Sequence, residues 1–218
     1  MSLRLWDERI VPRLTDASLR GHEIGELRAR VCAGLTGRVV EVGFGSGLNV
    51  RWCPPAVTAV SAVEPSDVGW SLSARRRERS PLRVERAGLD GQHLDLPDDS
   101  HDSALVTFSL CTIPDPVLAP QELRRVVRPG GRLHFLEHGL SPVESVRRWQ
   151  HRLEPVQRAL AGGCHLTREI PELIGASGWR MEDIESFALP GPGINRPWTY
   201  LHLGTAVSAW GSASAPAT

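Results

Sequence analysis

Residues 41–47 read Glu-Val-Gly-Phe-Gly-Ser-Gly, so Gly43, Gly45 and Gly47 fall at every second position. Glycine at that spacing lets a chain leaving a strand turn sharply and lets a ligand approach the main chain. Glu41 stands just before the turn, where its carboxylate can accept a hydrogen bond from an amine or a hydroxyl. Glu64 closes a second β-branched run, residues 57–63, and Pro65 behind it fixes the exit direction. A carboxylate at that place in dinucleotide-binding sheets holds both ribose hydroxyls. A helix expected through residues 48–52 would add free N–H groups at its N-terminus.

The details choose among ligands. The dinucleotide fingerprint needs Gly or Ala at its last place, and Leu48 stands there. Its side chain obstructs the close helix–strand packing that a third glycine allows. Glu41 would also sit poorly beside a pyrophosphate. A phosphate ligand is therefore disfavoured. S-adenosyl-L-methionine carries an amino-acid end, a sulfonium and a ribose but no phosphate, and it suits these residues. The competing reading is a tight strand–helix turn without any ligand.

These residues need a scaffold. Apolar residues at helical spacing predict helix over residues 3–33 with a break near Gly21. Short β-branched or apolar runs predict strands at 38–42, 57–63, 82–87, 103–110 and 132–137. Helices are expected between them at 67–79 and 117–127, the latter stopped by Arg128, Pro129, Gly130 and Gly131. Strands alternating with helices argue for a parallel sheet covered on both faces. Beyond residue 137 the spacing predicts an amphipathic helix from Val143 to about Leu160, bent or broken before Pro155. Thr167 is the expected cap of a second helix ending near Gly178, and strands follow at 180–187 and 198–207, the last one antiparallel. One domain over 1–210 and a disordered tail over 211–218 are expected.

Composition removes several classes. All 25 basic residues are Arg, balanced by 25 acidic residues, so the formal net charge is zero. That argues against a general nucleic-acid binder. Without Lys there is neither a Schiff base nor a Walker-type phosphate loop. Cys32, Cys53, Cys111 and Cys164 show neither a disulfide framework nor zinc-ribbon spacing. Residues 1–13 are charged, unlike a signal peptide, and no stretch reads as a membrane span. The expected setting is cytoplasmic.

The chain resembles the class I S-adenosylmethionine-dependent methyltransferases over residues 38–137. Residues 41–47 look like the first motif, Glu64-Pro65-Ser66 the second, and Leu89 to Leu94 with Asp99 to Asp102 the third-strand segment. The residues from Arg125 to Leu133 match the turn before strand five. The resemblance implies an α/β fold, doubly wound, with a mostly parallel seven-stranded Rossmann-like sheet. N-terminal helices and a helical insertion after strand five complete it. It implies that Gly43, Gly45 and Gly47 shape the methionine pocket, that Glu64 binds the ribose, and that Asp90 with the Gly91 amide binds the adenine edge. Glu41, Asn49, Pro65 and Ser109 are placed in the same cofactor site. Narrower likenesses, at Ser109 to Thr112, Phe135 to Gly139 and Gly162 to Glu169, are to the alkyl thiol methyltransferase group. Those relatives carry an N-terminal hydrophobic anchor, whereas residues 1–13 here are charged.

Transfer from a sulfonium is an in-line displacement in which the protein mainly aligns the acceptor and excludes water. A thiol, with a pKa of about 8.5, is partly ionised near neutrality and needs little base assistance. Open parallel sheets bind ligands at the C-terminal strand ends, which nominates Cys111 and His138. The resemblance adds His165, with Arg168 as an anion partner. Each has a plainer reading: Cys111 as a small buried hydrophobe, His138 and His165 as loop contacts. The expected partner is a small-molecule methyl acceptor, with a homodimer admitted and no nucleic acid, integral membrane segment or metal. N- or O-methylation of a lipid, quinone or natural product is the alternative, and a non-catalytic S-adenosylmethionine-binding protein a further one. Arsenite methylation would need Cys111 and Cys164 to converge.

Overall fold

The computed structural model describes residues 3–208. Three helices open the chain: α1 (Leu3–Arg9), α2 (Val11–Leu19) and α3 (His22–Cys32). The expected break near Gly21 is present, and a second one falls at Ile10, where Pro12 begins a new helix. Five parallel strands follow: β1 (Gly37–Val42), β2 (Val57–Val63), β3 (Arg83–Gly88), β4 (His101–Thr107) and β5 (Val127–His138). Between them lie α4 (Asp67–Leu72), α5 (Ala74–Glu78) and α6 (Leu118–Val126). Then come α7 (Glu144–Leu160), α8 (Ile170–Ala176), β6 (Trp179–Ala188), α9 (Arg196–Thr199) and β7 (Tyr200–Ser208). The seven strands form one sheet in the order β3-β2-β1-β4-β5-β7-β6, with β7 antiparallel to both neighbours.

Strand alternation explains the two-sided core. Val40, Val42, Ala104, Val106, Leu133 and Phe135 face a layer containing Leu123 and Val126 of α6 and Ile170 and Ile174 of α8. Val39, Leu105 and Leu136 face the opposite layer with Leu27 and Val31 of α3. Side chains two apart share a face, so Glu41 and Thr107 point toward α3 and Glu137 points the other way.

Several expected elements are corrected. No α-helix forms over residues 48–52; a single 3-10 turn, Val50–Trp52, follows the glycines. The helix over 67–79 is interrupted at Ser73, whose hydroxyl donates to the Trp70 carbonyl. The fourth strand ends at Thr107 because Phe108 takes a φ of 53°. The fifth begins at Val127, since that residue already pairs with His101. Pro155 does not break α7, which runs through it. Thr167 caps nothing: Glu169 occupies the position before α8, and no side chain caps there. The tail expected over 211–218 lies outside the described residues.

Candidate active site

The glycine turn is built on left-handed backbone. Gly43, Gly45 and Gly47 have φ of 76°, 56° and 74°, a region that residues with a Cβ seldom occupy. At Gly43 a Cβ would lie 1.8 Å from Ser109 Oγ, so the turn presses directly on the loop after β4. Ser109 is committed to that contact. Its hydroxyl donates to the Thr107 carbonyl at 3.0 Å, and its amide donates to Glu137 Oε1 at 2.7 Å.

Glu64 emerges from β2 beside the turn. Its Oε2 accepts from the Gly45 amide at 2.6 Å and its Oε1 from the Ser66 amide at 2.7 Å. Burial raises its pKa while these two donors work against the rise. Each carboxylate oxygen keeps acceptor capacity beyond one bond, so hydroxyl donors can still be received. Pro65 is exposed between Glu64 and Ser66. Asp90 is exposed beyond β3, accepting from the Gln92 amide at 2.9 Å. Gly91 beside it is buried, its missing side chain leaving room for Val42 and Ile113.

Behind the turn lies a network that the motifs did not reveal. Arg28 of α3 donates to Asn49 Oδ1 at 2.6 Å and to Thr107 Oγ1 at 3.0 Å. Asn49 donates in turn to Glu41 Oε1 at 2.8 Å and to Thr107 Oγ1 at 2.9 Å. Both amide hydrogens of Asn49 are thus spent on protein atoms, and its side chain has no donor left for a ligand. Burial pushes Glu41 up to about 7, against the Asn49 hydrogen bond and the charge of Arg28. Arg28 Nε is buried without a partner. A signal existed: Arg28 follows Leu27 and precedes Val31 on the inward face of α3. A cavity of about 400 Å³ reaches Arg28 and Leu48, with Gly21, Gly25 and Trp52 among its walls. Helix α2 covers the turn from outside, where Asp16 accepts from the Ser46 hydroxyl at 2.6 Å and from Arg76 at 3.0 Å.

The acceptor-side nominations converge only in part. His138 Nε2 lies 3.2 Å from Cys164 Sγ, and one ligand atom each of Cys111, His138 and Cys164 lies within 4.8 Å of the others. Cys111 shares a hydrogen bond with Cys164 that raises its own pKa, with burial adding to the rise. The same bond, together with His138, holds the Cys164 thiol low. His165 does not belong to that three-residue cluster. Its Nδ1 pairs with Glu154 Oε1 at 2.6 Å, and its amide binds the Cys111 carbonyl at 2.8 Å. Arg168 donates to the carbonyls of Leu110 and Pro114.

The family described as "Methyltransferase domain" matches residues 40–135, which run from β1 through the turn to β5. Residues 40–135 are thus similar to a methyltransferase domain. The chain is 36% identical over 135 residues to "Thiol S-methyltransferase TMT1B" of Rattus norvegicus, covering 60% of this chain and 55% of that protein. It is 33% identical over 111 residues to "Phosphatidylethanolamine N-methyltransferase" of Cereibacter sphaeroides, covering 47% of this chain and 51% of that protein. The chain thus spans about half the length of these curated relatives. The fold of a solved S-adenosylmethionine-dependent methyltransferase from Thermotoga maritima superposes with a TM-score of 0.65 over 95% of this chain and 100% of that one, at 18% identity. Among the described residues, no helix is long and apolar enough to cross a membrane.

S-adenosylmethionine is the cofactor that a methyltransferase domain of this kind implies. The residues fit it: three left-handed glycines leave open backbone, Glu64 faces the same turn, and the orphaned Nε of Arg28 lies behind it.

Proposed function

We propose that this protein transfers the methyl group of S-adenosylmethionine to a small-molecule thiol. The observation that carries the donor half is the buried juxtaposition of Arg28 and Glu41 behind the glycine turn, one cation and one carboxylate for a zwitterionic end. In this reading Arg28 holds the carboxylate of the amino-acid end and Glu41 its amine. Glu64 receives the ribose hydroxyls, while Asp90 and the Gly91 amide take the adenine edge. Asn49 and Ser109 act as positioning residues, one bridging Arg28 to Glu41 and the other seating Gly43. Gly45 and Gly47 keep the turn open, and Pro65 directs the chain away from Glu64.

The cofactor supplies a methyl group already activated on a sulfonium. The chain's task is to align the acceptor, keep water out and let the thiol lose its proton. A carbon–sulfur bond forms to the acceptor as the sulfonium bond breaks, and the thiol proton passes to a nearby base or to solvent. Cys111 and His138 would face the acceptor, and His165 would hold the 161–169 loop through Glu154.

Support for a thiol comes from the thiol S-methyltransferase of rat, to which this chain is 36% identical over 135 residues. The Cereibacter relative supports a second reading, an amine acceptor. Incubating the protein with methyl-labelled cofactor and matched panels of thiols, amines and phenols separates the two. Thiol products support the first reading, and amine products alone support the second. Binding of S-adenosylhomocysteine by calorimetry without any product would leave a cofactor-binding protein.

A further inference from the structure

We propose that Cys111, His138 and Cys164 form a binding site for a borderline-soft divalent metal ion of the zinc class. The three residues come from the loop after β4, the last residue of β5 and the connection between α7 and α8. They lie 26 or 27 positions apart in sequence, which no metal-binding spacing anticipates. Only the sheet brings them together.

The geometry is close to what such an ion demands. Tetrahedral zinc sites with Zn–S near 2.3 Å and Zn–N near 2.0 Å place neighbouring ligand atoms about 3.5–3.8 Å apart. Here His138 Nε2 and Cys164 Sγ are separated by 3.2 Å and all three ligand atoms fall within 4.8 Å. Closing the longest separation to tetrahedral spacing takes a relative shift of about 1.3 Å or less. Two sulfurs and one imidazole select zinc-class ions over magnesium or calcium, which prefer oxygen. Two thiolates with a neutral imidazole offset a divalent charge fully, so an occupied site is neutral, which buried surroundings favour. Three protein ligands leave one tetrahedral position open.

The backbone holds the ligands in place. The His165 amide binds the Cys111 carbonyl at 2.8 Å, tying the loop next to Cys164 directly to Cys111. The Cys164 amide binds the Ala161 carbonyl at 3.1 Å, and the Leu166 amide binds Glu154 Oε2 at 2.7 Å. Gly162 and Gly163, at φ of 59° and 83°, make the turn that presents Cys164. Arg168 fastens the far side of the loop to the Leu110 and Pro114 carbonyls.

The test uses the full chain, reduced and stripped of metal, dialysed against Zn(II) or Co(II). The expected result is about one ion per chain, with sulfur-to-cobalt charge-transfer bands and the visible spectrum of tetrahedral Co(II). Both readouts need only the unaltered protein, so they stand whether or not a variant folds. Cys164→Ser and His138→Ala should weaken zinc binding at least about tenfold, with folding checked by circular dichroism. A Cys32→Ser/Cys53→Ser double variant should bind as the unaltered chain does. Failure of the reduced protein to retain any ion overturns the proposal. So does undiminished binding in a Cys111→Ser/Cys164→Ser variant. Metal content is read without cofactor or acceptor, so its outcome is independent of which acceptor is methylated.

Discussion

The Glu64 carboxylate reaches from the end of β2 to the Gly45 amide at 2.6 Å, joining the strand end to the glycine turn. Its other oxygen holds the Ser66 amide, and Ser66 itself caps α4 by accepting from the Gly69 amide at 3.0 Å. One carboxylate therefore sets the position of two loops, and it does so with acceptor capacity to spare.

Glu64→Ala should lower S-adenosylhomocysteine affinity by roughly ten- to a hundredfold. It removes hydrogen bonds to a charged group worth about 1.5–3 kcal/mol each, and every 1.4 kcal/mol or so is tenfold in affinity. Calorimetry reads the change. Unaltered affinity would remove Glu64 from the ribose site.

Gly43→Ala should destabilise the fold by about 2 kcal/mol or more, because it adds a steric clash to left-handed strain that alone costs about 1–3 kcal/mol. The added carbon would meet Ser109 Oγ at 1.8 Å. Denaturant unfolding measures the loss. Adding Ser109→Gly should restore part of it, since the clash goes and only the backbone strain of Gly43 at φ 76° remains. No recovery would show that the contact with Ser109 is not what the glycine serves.

Cofactor affinity should rise with pH through about 7, because Glu41 ionises there and only its ionised form attracts an ammonium. Glu41→Gln should bind more weakly and lose that dependence. Arg28→Met should move the midpoint upward, because the positive charge of Arg28 works against the rise that burial imposes on Glu41. Calorimetric titrations across pH 6–8 check all three, and an identical pH profile for the Glu41→Gln protein would dismiss the assignment.

His101 should make stability fall in mild acid. Burial lowers its pKa from 6.5 to about 4, and its ring bridges the Ser100 and Ser61 hydroxyls, each at 2.9 Å. Between those pH values the unfolded chain binds the proton and the folded chain does not. The contribution is therefore complete above pH 6.5 and is lost as pH falls toward 4. His101→Gln should be destabilised at pH 7.5, and its deficit should narrow by about 2 kcal/mol near pH 4.5. A deficit that stays constant with pH would contradict this.

Most of the strands, the glycine turn and the two carboxylates beside it are legible in the sequence. Those features are local. Left-handed backbone demands glycine, β-branched runs mark buried strands, and a parallel strand end is where a turn and a carboxylate can meet. The end of the fourth strand and the course of α7 through Pro155 were less legible, since tertiary packing overrides local preference there. Tertiary structure alone decided what Glu41 touches. Arg28 reaches it through Asn49 across 21 and 8 residues of chain, and strand alternation turns Glu41 and Thr107 to the same face of the sheet. Folding also paired His165 with Glu154 and brought Cys164 to His138, because the 161–169 loop is pinned by Glu154 and the Cys111 carbonyl. Motifs record which groups are present; long-range packing decides which of them meet, because a contact between distant residues leaves no period in the sequence.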